Sequence, residues 1–284
     1  MPDASKNVRD ILPGAPGVLP VFCMRSQLNL GNLFFAGLTL AGVGFFLFPF
    51  WAPAVTGRAG LTAPAEARTS LLLFSASMAL ILLAILTEAQ QGLTIHTIAM
   101  LGALIGLNTA LRVADNLLPL PGGFSPVFLL ILLVGFVFGP RLGFLMGALT
   151  LLVSDPVTPG GLGPWTPYQM LAAGWAGMTA ALLPRRTPIW ILAAVGAAWG
   201  LLYGAMTNLY FWPYALGAPD LSWAPSLPAS ELLARYARYY VVTSLAWDSM
   251  RALGNFLLIG LLGTSLVRVL DRFRKRASVI WEPS

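Results

Sequence analysis

Long apolar runs, separated by short segments rich in proline, glycine and charged residues, make up most of the chain after residue 30. Because a helix of about 20 apolar residues crosses the hydrocarbon core of a bilayer, this pattern predicts an all-α integral membrane protein. We expect eight transmembrane helices, at residues 31–52, 70–86, 94–114, 124–139, 142–157, 166–183, 189–209 and 241–270. Those that are short for a straight span, such as 124–139, should lie between other helices rather than against lipid alone.

The spacing of these runs divides the chain into three parts. Residues 1–30 are polar and rich in proline and glycine, and they lack the apolar core and cleavage site of a signal peptide, so we expect a cytoplasmic tail. Residues 31–93 hold the first two runs and predict an N-terminal transmembrane hairpin. Residues 94–284 hold the other six, which predict a six-helix bundle that ends in a basic cytoplasmic tail.

The composition supports a membrane location and excludes several classes of protein. Hydrophobic residues make up 57% of the 284-residue chain and charged residues 10%, against roughly 25% charged in a soluble domain. Lysine occurs only at positions 6 and 275, so the chain has no Gly-Lys-Ser/Thr element and cannot itself be a P-loop ATPase. The single cysteine, Cys23, excludes internal disulfides and cysteine-based zinc sites.

Positive charge is distributed unevenly between the two predicted faces of the membrane. Eleven Lys and Arg residues fall in the two tails and in the turns after the fourth and sixth spans, whereas five fall on the other face. The positive-inside rule therefore predicts that both termini of this multi-pass cell-membrane protein are cytoplasmic. This topology explains the net charge of +6, and we expect no nucleic-acid partner.

The predicted external loops are long and rich in glycine, proline and aromatic residues, which favours ligand binding on that side. Residues 210–230 form the longest, and such loops either cover a cavity at the mouth of the bundle or simply connect helices. A cavity walled by aromatic rings with a few amide and charged groups suits a bulky organic ligand. The candidate substrate-binding residues are Trp165, Tyr168, Gln169, Asn208, Trp212, Trp247, Asp248 and Arg251.

The strongest polar signal lies in the last predicted span. Asp248 and Arg251 are three residues apart, so they share a helix face and can form an ion pair, and Asn255 continues that face. A charge alone at the centre of a membrane helix costs about 2.5–3.5 kcal/mol, so both side chains are expected to point into the bundle. The pair either locks helices together or forms part of the cavity wall, and the spacing leaves both roles open.

The third predicted span carries a stripe of small residues. Ala99, Gly102, Ala103 and Gly106 lie on one helix face, where their small size lets another helix approach closely. That helix could belong to the same bundle or to another subunit. His96 precedes the stripe, but the sequence offers no carboxylate or second histidine to join it, so we expect no metal site.

Two longer motifs indicate a family. They are VFGPRLGFLMGALTLLVSD at residues 137–155 and GLGPWTPYQMLAAGWAG at residues 161–177. With the pair Ala99-xxx-Ala103, they make the chain from Thr94 onward resemble the substrate-binding membrane subunit, or S component, of an energy-coupling factor (ECF) vitamin transporter. Within that family the chain is most similar to the cobalamin-type group.

This resemblance implies a six-helix bundle that captures a vitamin from outside. The bundle then topples in the membrane against a transmembrane coupling subunit, which two cytoplasmic ATPases drive. Ala99 and Ala103 match the family motif that packs on the coupling subunit, and Gly102 and Gly106 extend that expected interface. No resident cofactor is implied. The implied ligand is cobalamin or a related corrinoid, with riboflavin or thiamine as smaller alternatives, and the first two spans depart from the six-helix pattern.

Three other functions would need features that the sequence does not provide. A prenyl-transfer enzyme would need aspartate-rich clusters to hold Mg²⁺ and a diphosphate, yet no two acidic residues lie within four positions of each other. A serine hydrolase would need a Gly-x-Ser-x-Gly element with a histidine beside it. A stand-alone secondary transporter would usually show inverted repeats with interrupted helices, although Asp248 could serve such a protein as a proton site.

Overall fold

The computed structural model describes residues 30–47, 72, 75–85, 87, 95–117, 125–215, 217–224 and 227–279. Nine α-helices lie within these ranges, and the all-helical prediction is confirmed for them. The helices are α1 (Leu30–Phe46), α2 (Ser75–Ile85), α3 (Ile95–Leu117), α4 (Val127–Phe138), α5 (Pro140–Ser154), α6 (Thr166–Ala180), α7 (Ile189–Phe211), α8 (Ala229–Thr243) and α9 (Leu245–Val279). Apart from Leu30, the predicted tail at residues 1–30 lies outside the described residues, as does much of the predicted hairpin at 31–93.

Helix α4 is the centre of the bundle. All of its 12 residues are apolar or glycine, and every one from Val127 to Val137 is buried. Helices α3, α5, α6, α7 and α9 pack around it. At 1.5 Å per residue, α4 is about 18 Å long, well short of a bilayer core of about 30 Å. The prediction that the short run at 124–139 lies between other helices is therefore confirmed.

Glycines allow α4, α5 and α6 to touch through their backbones. A Cβ atom placed on Gly135 would lie 1.8 Å from the carbonyl oxygen of Gly177, and one on Gly147 would lie 2.2 Å from that of Ala173. Gly143 and Gly177 face each other in the same way, with a Cβ on Gly177 falling 2.2 Å from the Gly143 oxygen. Real Cβ atoms do not approach so closely, so this three-helix contact has no room for side chains.

Three helices are long and apolar enough to cross a membrane. These are α3, α7 and the part of α9 from Leu245 to Lys275. Helices α5 and α6 are 15 residues long and pack on each other and on α4. The predicted count of eight spans exceeds the three helices that meet this length among the described residues, so it stays a prediction.

Helix α1 packs against the bundle through aromatic rings. Phe46 contacts the ring of Tyr168 at 5.1 Å between centroids, and Phe35 contacts Phe144 at 5.5 Å. A Cβ on Gly42 would lie 2.7 Å from the ring of Trp175, which shows how closely α1 approaches α6. The first predicted span is therefore joined to the bundle rather than separate from it.

The last predicted span, 241–270, has the wrong start. The structure instead has two helices, α8 and α9, which meet at Ser244 with φ −137° and ψ −26°. Serine competes for backbone hydrogen bonds and is a weak helix former, and its hydroxyl accepts a hydrogen bond from Asn208 Nδ2. Residues 229–243, part of which was expected to be loop, form a helix whose tyrosines Tyr236 and Tyr240 donate to carbonyl oxygens of α7.

Candidate functional site

A polar cavity of about 340 Å³ lies at the end of the bundle where α3 and α5 end and α6 and α9 begin. This is the end that the charge distribution predicts to be external. Its lining residues are Arg112, Asp115, Asn116, Ser125, Val127, Phe128, Leu151, Asp155, Thr158, Gly160, Gly161, Trp165, Gln169, Tyr203 and Arg251. Two arginines and two aspartates therefore line one cavity, together with Val127 and Phe128 from the first turn of α4.

The first arginine, Arg112, is held by a buried polar network at the ends of α5 and α6. Its Nη1 donates to Ser154 Oγ and to Oδ1 of Asp155, which is 1% exposed. The other oxygen of Asp155 accepts a hydrogen bond from Thr166 Oγ1 at 2.7 Å, and Thr166 in turn accepts one from the backbone of Gly163 at 3.1 Å. Because a buried carboxylate is stable only when its oxygens are bonded, this network fixes the position of the Arg112 guanidinium.

The second arginine, Arg251, forms the ion pair with Asp248 that the sequence predicts. Asp248 is 2% exposed and lies against α7 at Gly204, where a Cβ would fall 1.8 Å from Asp248 Oδ2. Arg251 also lines the cavity, and its guanidinium carbon lies 5.7 Å from the ring centre of Tyr203. The pair therefore joins α7 to α9, and Arg251 is the member of the pair that lines the cavity, while contact with a ligand stays a prediction.

Two amides that the sequence analysis names, the candidate binding residue Asn208 and the neighbouring Asn255, join helices and are not among the residues that line this cavity. Asn208 Nδ2 donates to Ser244 Oγ at the junction of α8 and α9. Asn255, the residue that continues the face of Asp248 and Arg251, is fully buried and donates from Nδ2 to the carbonyl oxygen of Gly196 at 2.9 Å. Asn208 thus connects α7 to the junction of α8 and α9, and Asn255 connects α9 to α7.

The other predicted binding residues are placed in three different environments. Trp165 and Gln169 line the cavity with Arg251. Tyr168 is buried behind it, with its ring 4.3 Å from that of Tyr210, and Trp212 is buried under the loop, donating from Nε1 to Leu221 O at 2.8 Å. Trp247 is 58% exposed on the outer surface of α9. Direct ligand contact by all eight predicted residues stays a prediction, and the structure brings three of them together.

Arg112 and Asp155 form the ion pair of the cavity that the sequence analysis missed. Arg112 lies inside a predicted span, and Asp155 lies near the end of another. A charged residue inside a membrane span needs a partner, so their opposite charges were the available signal. The two residues are 43 positions apart, and nothing in the local spacing could pair them.

A second cavity lies at the opposite end of the bundle and is almost entirely apolar. It has a volume of about 680 Å³ and lies between the first half of α3 and the last turns of α9. Ala99 and Ala103 line it, together with Leu130 and Phe138 of α4. His96 is also at its edge, and the described residues contain no group of His, Cys, Asp or Glu that could hold a metal ion.

The predicted small-residue stripe faces outward from the described bundle. Ala99, Gly102, Ala103 and Gly106 are all exposed. A Cβ on Gly102 or Gly106 would meet no described atom within 4 Å. Within the described residues, the stripe is therefore an open helix surface rather than an internal helix contact.

Comparison with known protein families identifies the bundle. The family "ECF transporter, substrate-specific component" matches residues 93–263, more than half of the 284-residue chain. The matched segment contains α3 to α8 and the first half of α9, and it excludes α1 and α2. No curated protein and no solved structure matches the chain significantly. The chain therefore belongs to the family of ECF transporter substrate-specific components, which are membrane-embedded transporter subunits and not enzymes.

Proposed function

We propose that this chain is the high-affinity substrate-binding subunit of an ATP-driven ECF importer of a vitamin, cobalamin or a related corrinoid. The observation that carries the proposal is the arrangement of the matched bundle, with a polar cavity at one end and an open small-residue surface at the other. The first can capture a ligand, and the second can pack against a partner helix. With no P-loop in the sequence, the energy would come from two ATPases through a coupling subunit.

The ligand assignment rests on the charge of the polar cavity and on its aromatic walls. Each cavity arginine is neutralised by a buried aspartate, Arg112 by Asp155 and Arg251 by Asp248. Trp165 and Tyr203 offer ring faces in the same space. A largely neutral organic ligand with polar groups around its edge suits such a site, and a corrinoid has that character.

The volume of the cavity determines how much of each candidate ligand it would enclose. At about 340 Å³, it is near the lower end of the range of about 300–1,000 Å³ for drug-sized ligands. A corrinoid would insert only one edge of its ring, whereas riboflavin or thiamine would be largely enclosed. The mass of the ligand that co-purifies with the protein distinguishes these cases, and we expect a corrinoid mass.

The open stripe on α3 is the proposed contact with the coupling subunit. Ala99, Gly102, Ala103 and Gly106 present a surface without bulky side chains, and the apolar cavity beside it offers further area to a helix. By the positive-inside rule, this end of the bundle would face the cytoplasm, with both termini on that side, as coupling to cytoplasmic ATPases requires. The N-terminal hairpin at 31–93 would be an addition to the six-helix unit.

Uptake measured with and without the partner subunits tests this function. The chain is reconstituted into liposomes alone, and in parallel with a coupling subunit and two ATPases, and labelled cyanocobalamin uptake is followed with and without internal ATP. We expect uptake only in the complete complex with ATP. Uptake by the chain alone, driven by an ion gradient, would instead establish the secondary transporter.

A further inference from the structure

The two cavity arginines are held in the same way, each by a buried aspartate. Each guanidinium is bonded to a buried aspartate, and both arginines line the same cavity, which Asp155 lines as well. Their side chains are 18% and 21% exposed, against 2% and 3% for the aspartate partners. The aspartates therefore fix the arginines, and the arginines present their remaining surface to the cavity.

Each arginine has hydrogen-bond donors to spare. A guanidinium carries five N–H donors. Arg112 uses Nη1 for Ser154 and Asp155, and Arg251 uses Nη1 for Asp248 and, at 3.4 Å, for Gly200 O. Neither Nε nor Nη2 of these arginines bonds to any described residue. About three donors on each guanidinium are therefore not used by the described residues, and these donors can serve a ligand.

The cavity is rich in donors and carries little net charge. The two ion pairs cancel, and Asp115 at the end of α3 is the further acidic residue in the lining. Gln169 adds an amide that both donates and accepts. An anionic ligand would compete with Asp155 and Asp248 for the same guanidinium groups. A cationic ligand would meet two positive groups and two carboxylates, of which Asp155 already has both oxygens bonded, to Arg112 and Thr166.

We propose that the guanidinium groups of Arg112 and Arg251 act together to recognise uncharged ligand groups bearing acceptor oxygens, such as amide or ring carbonyls. We call these two guanidinium groups, with their N–H donors, the forks. Asp155 and Asp248 are positioning residues that hold the forks. The inference rests on the proposed function, and it adds a ligand class and a specificity residue, Arg112. Planar guanidinium groups bind paired acceptors in a fixed geometry that an ammonium group cannot reproduce.

Three soluble probes test the ligand class with the purified full-length protein in detergent. Cyanocobalamin and riboflavin are acceptor-rich and carry amide or ring carbonyls, whereas thiamine has a cationic ring. We expect at least one of the first two to bind in an equilibrium titration and thiamine to bind at least about tenfold more weakly. Tighter binding of thiamine, or binding of none of the three, would overturn the proposed ligand class.

Lysine substitutions then test the forks. Arg112→Lys and Arg251→Lys keep the charge opposite each aspartate, so the melting temperature without ligand should change little, while affinity for the bound probe falls about tenfold or more. Arg235→Lys is the matched control, because Arg235 pairs with Glu231 at 2.9 Å on α8, outside the cavity. Wild-type affinity in both test variants would refute the forks.

The uptake assay keeps this inference separate from the proposed function. ATP-dependent uptake by the complete complex, together with wild-type ligand affinity in both lysine variants, would support the transporter subunit and refute the forks. If one lysine variant fails to fold, the other variant and the comparison of the three probes still decide.

Discussion

Small residues line helix surfaces in two regions of this molecule, and the two surfaces have opposite surroundings. In the contact of α4, α5 and α6, Gly135, Gly143 and Gly177 face the backbone of a neighbouring helix with no space for a Cβ. On α3, Gly102 and Gly106 face no described atom within 4 Å. Small residues on a helix thus predict that another helix can approach, but their burial shows whether that helix is already present.

The largest effect is expected in the closed contact. Gly177→Leu would place a side chain against the backbone of Gly143, and overpacking of this kind should exceed the usual cost of about 1–3 kcal/mol because backbone cannot move aside as a side chain can. We expect little monodisperse protein by size-exclusion chromatography after detergent extraction. Gly102→Leu on the open stripe is the control. An equal loss of monodisperse protein in both variants would contradict the difference between the closed contact and the open stripe.

The ion pair of α9 is expected to have the next largest effect on stability. Arg251→Gln leaves the buried Asp248 unpaired, which typically costs about 3–5 kcal/mol, and Asp248→Asn should cost less because Arg251 still faces the polar cavity. The double variant should recover most of the larger loss. The measurement is the melting temperature of the three variants with and without ligand. Additive destabilisation in the double variant would contradict the pairing and show that α7 and α9 are held mainly by close approach at Gly204.

Alanine at two glycines sharpens the comparison with the smallest possible change. Gly102→Ala should raise stability slightly, because glycine in a helix costs about 0.5–1 kcal/mol relative to alanine. Gly147→Ala should lower it, because the new Cβ would lie 2.2 Å from the carbonyl oxygen of Ala173. If the two variants shift the melting temperature in the same direction, the result would contradict the conclusion that the α3 surface is open.

The smallest effect on folding, and the largest on transport, is expected on the stripe. Ala103→Trp should leave the melting temperature and ligand affinity close to those of the wild type, because Ala103 is exposed and far from the polar cavity. ATP-driven uptake should be abolished, since bulk at this point keeps the partner helix away. Ala99→Trp should behave alike. Joint loss of folding and binding would instead place the stripe inside the bundle.

Local sequence patterns were good guides to the long helices and to one ion pair. The predicted spans at 94–114 and 189–209 correspond to α3 and α7, because their apolar runs are long and contain few polar residues. The contact of Asp248 with Arg251 follows from i, i+3 geometry. Both features depend on neighbours in the chain.

Features that depend on distant residues were missed. Asp155 reaches Arg112 only after α3 and α5 have packed, so this ion pair of the cavity could not be found from spacing. Helix α8 mixes Arg235 and Arg238 with tyrosines and therefore falls outside the long apolar runs. Its signal was the recurrence of Leu232, Tyr236 and Tyr240 at four-residue intervals, which marks one face of an amphipathic helix.

The two cavities are close together, because both are lined by residues of the short central helix α4. Val127 and Phe128 line the polar cavity, while Leu130 and Phe138 line the apolar one. A shift of α4 caused by a bound ligand would therefore reshape both ends of the bundle at once. Thermodynamic linkage then makes the effect reciprocal: the factor by which ligand changes affinity for a partner on the apolar side equals the factor by which that partner changes affinity for ligand.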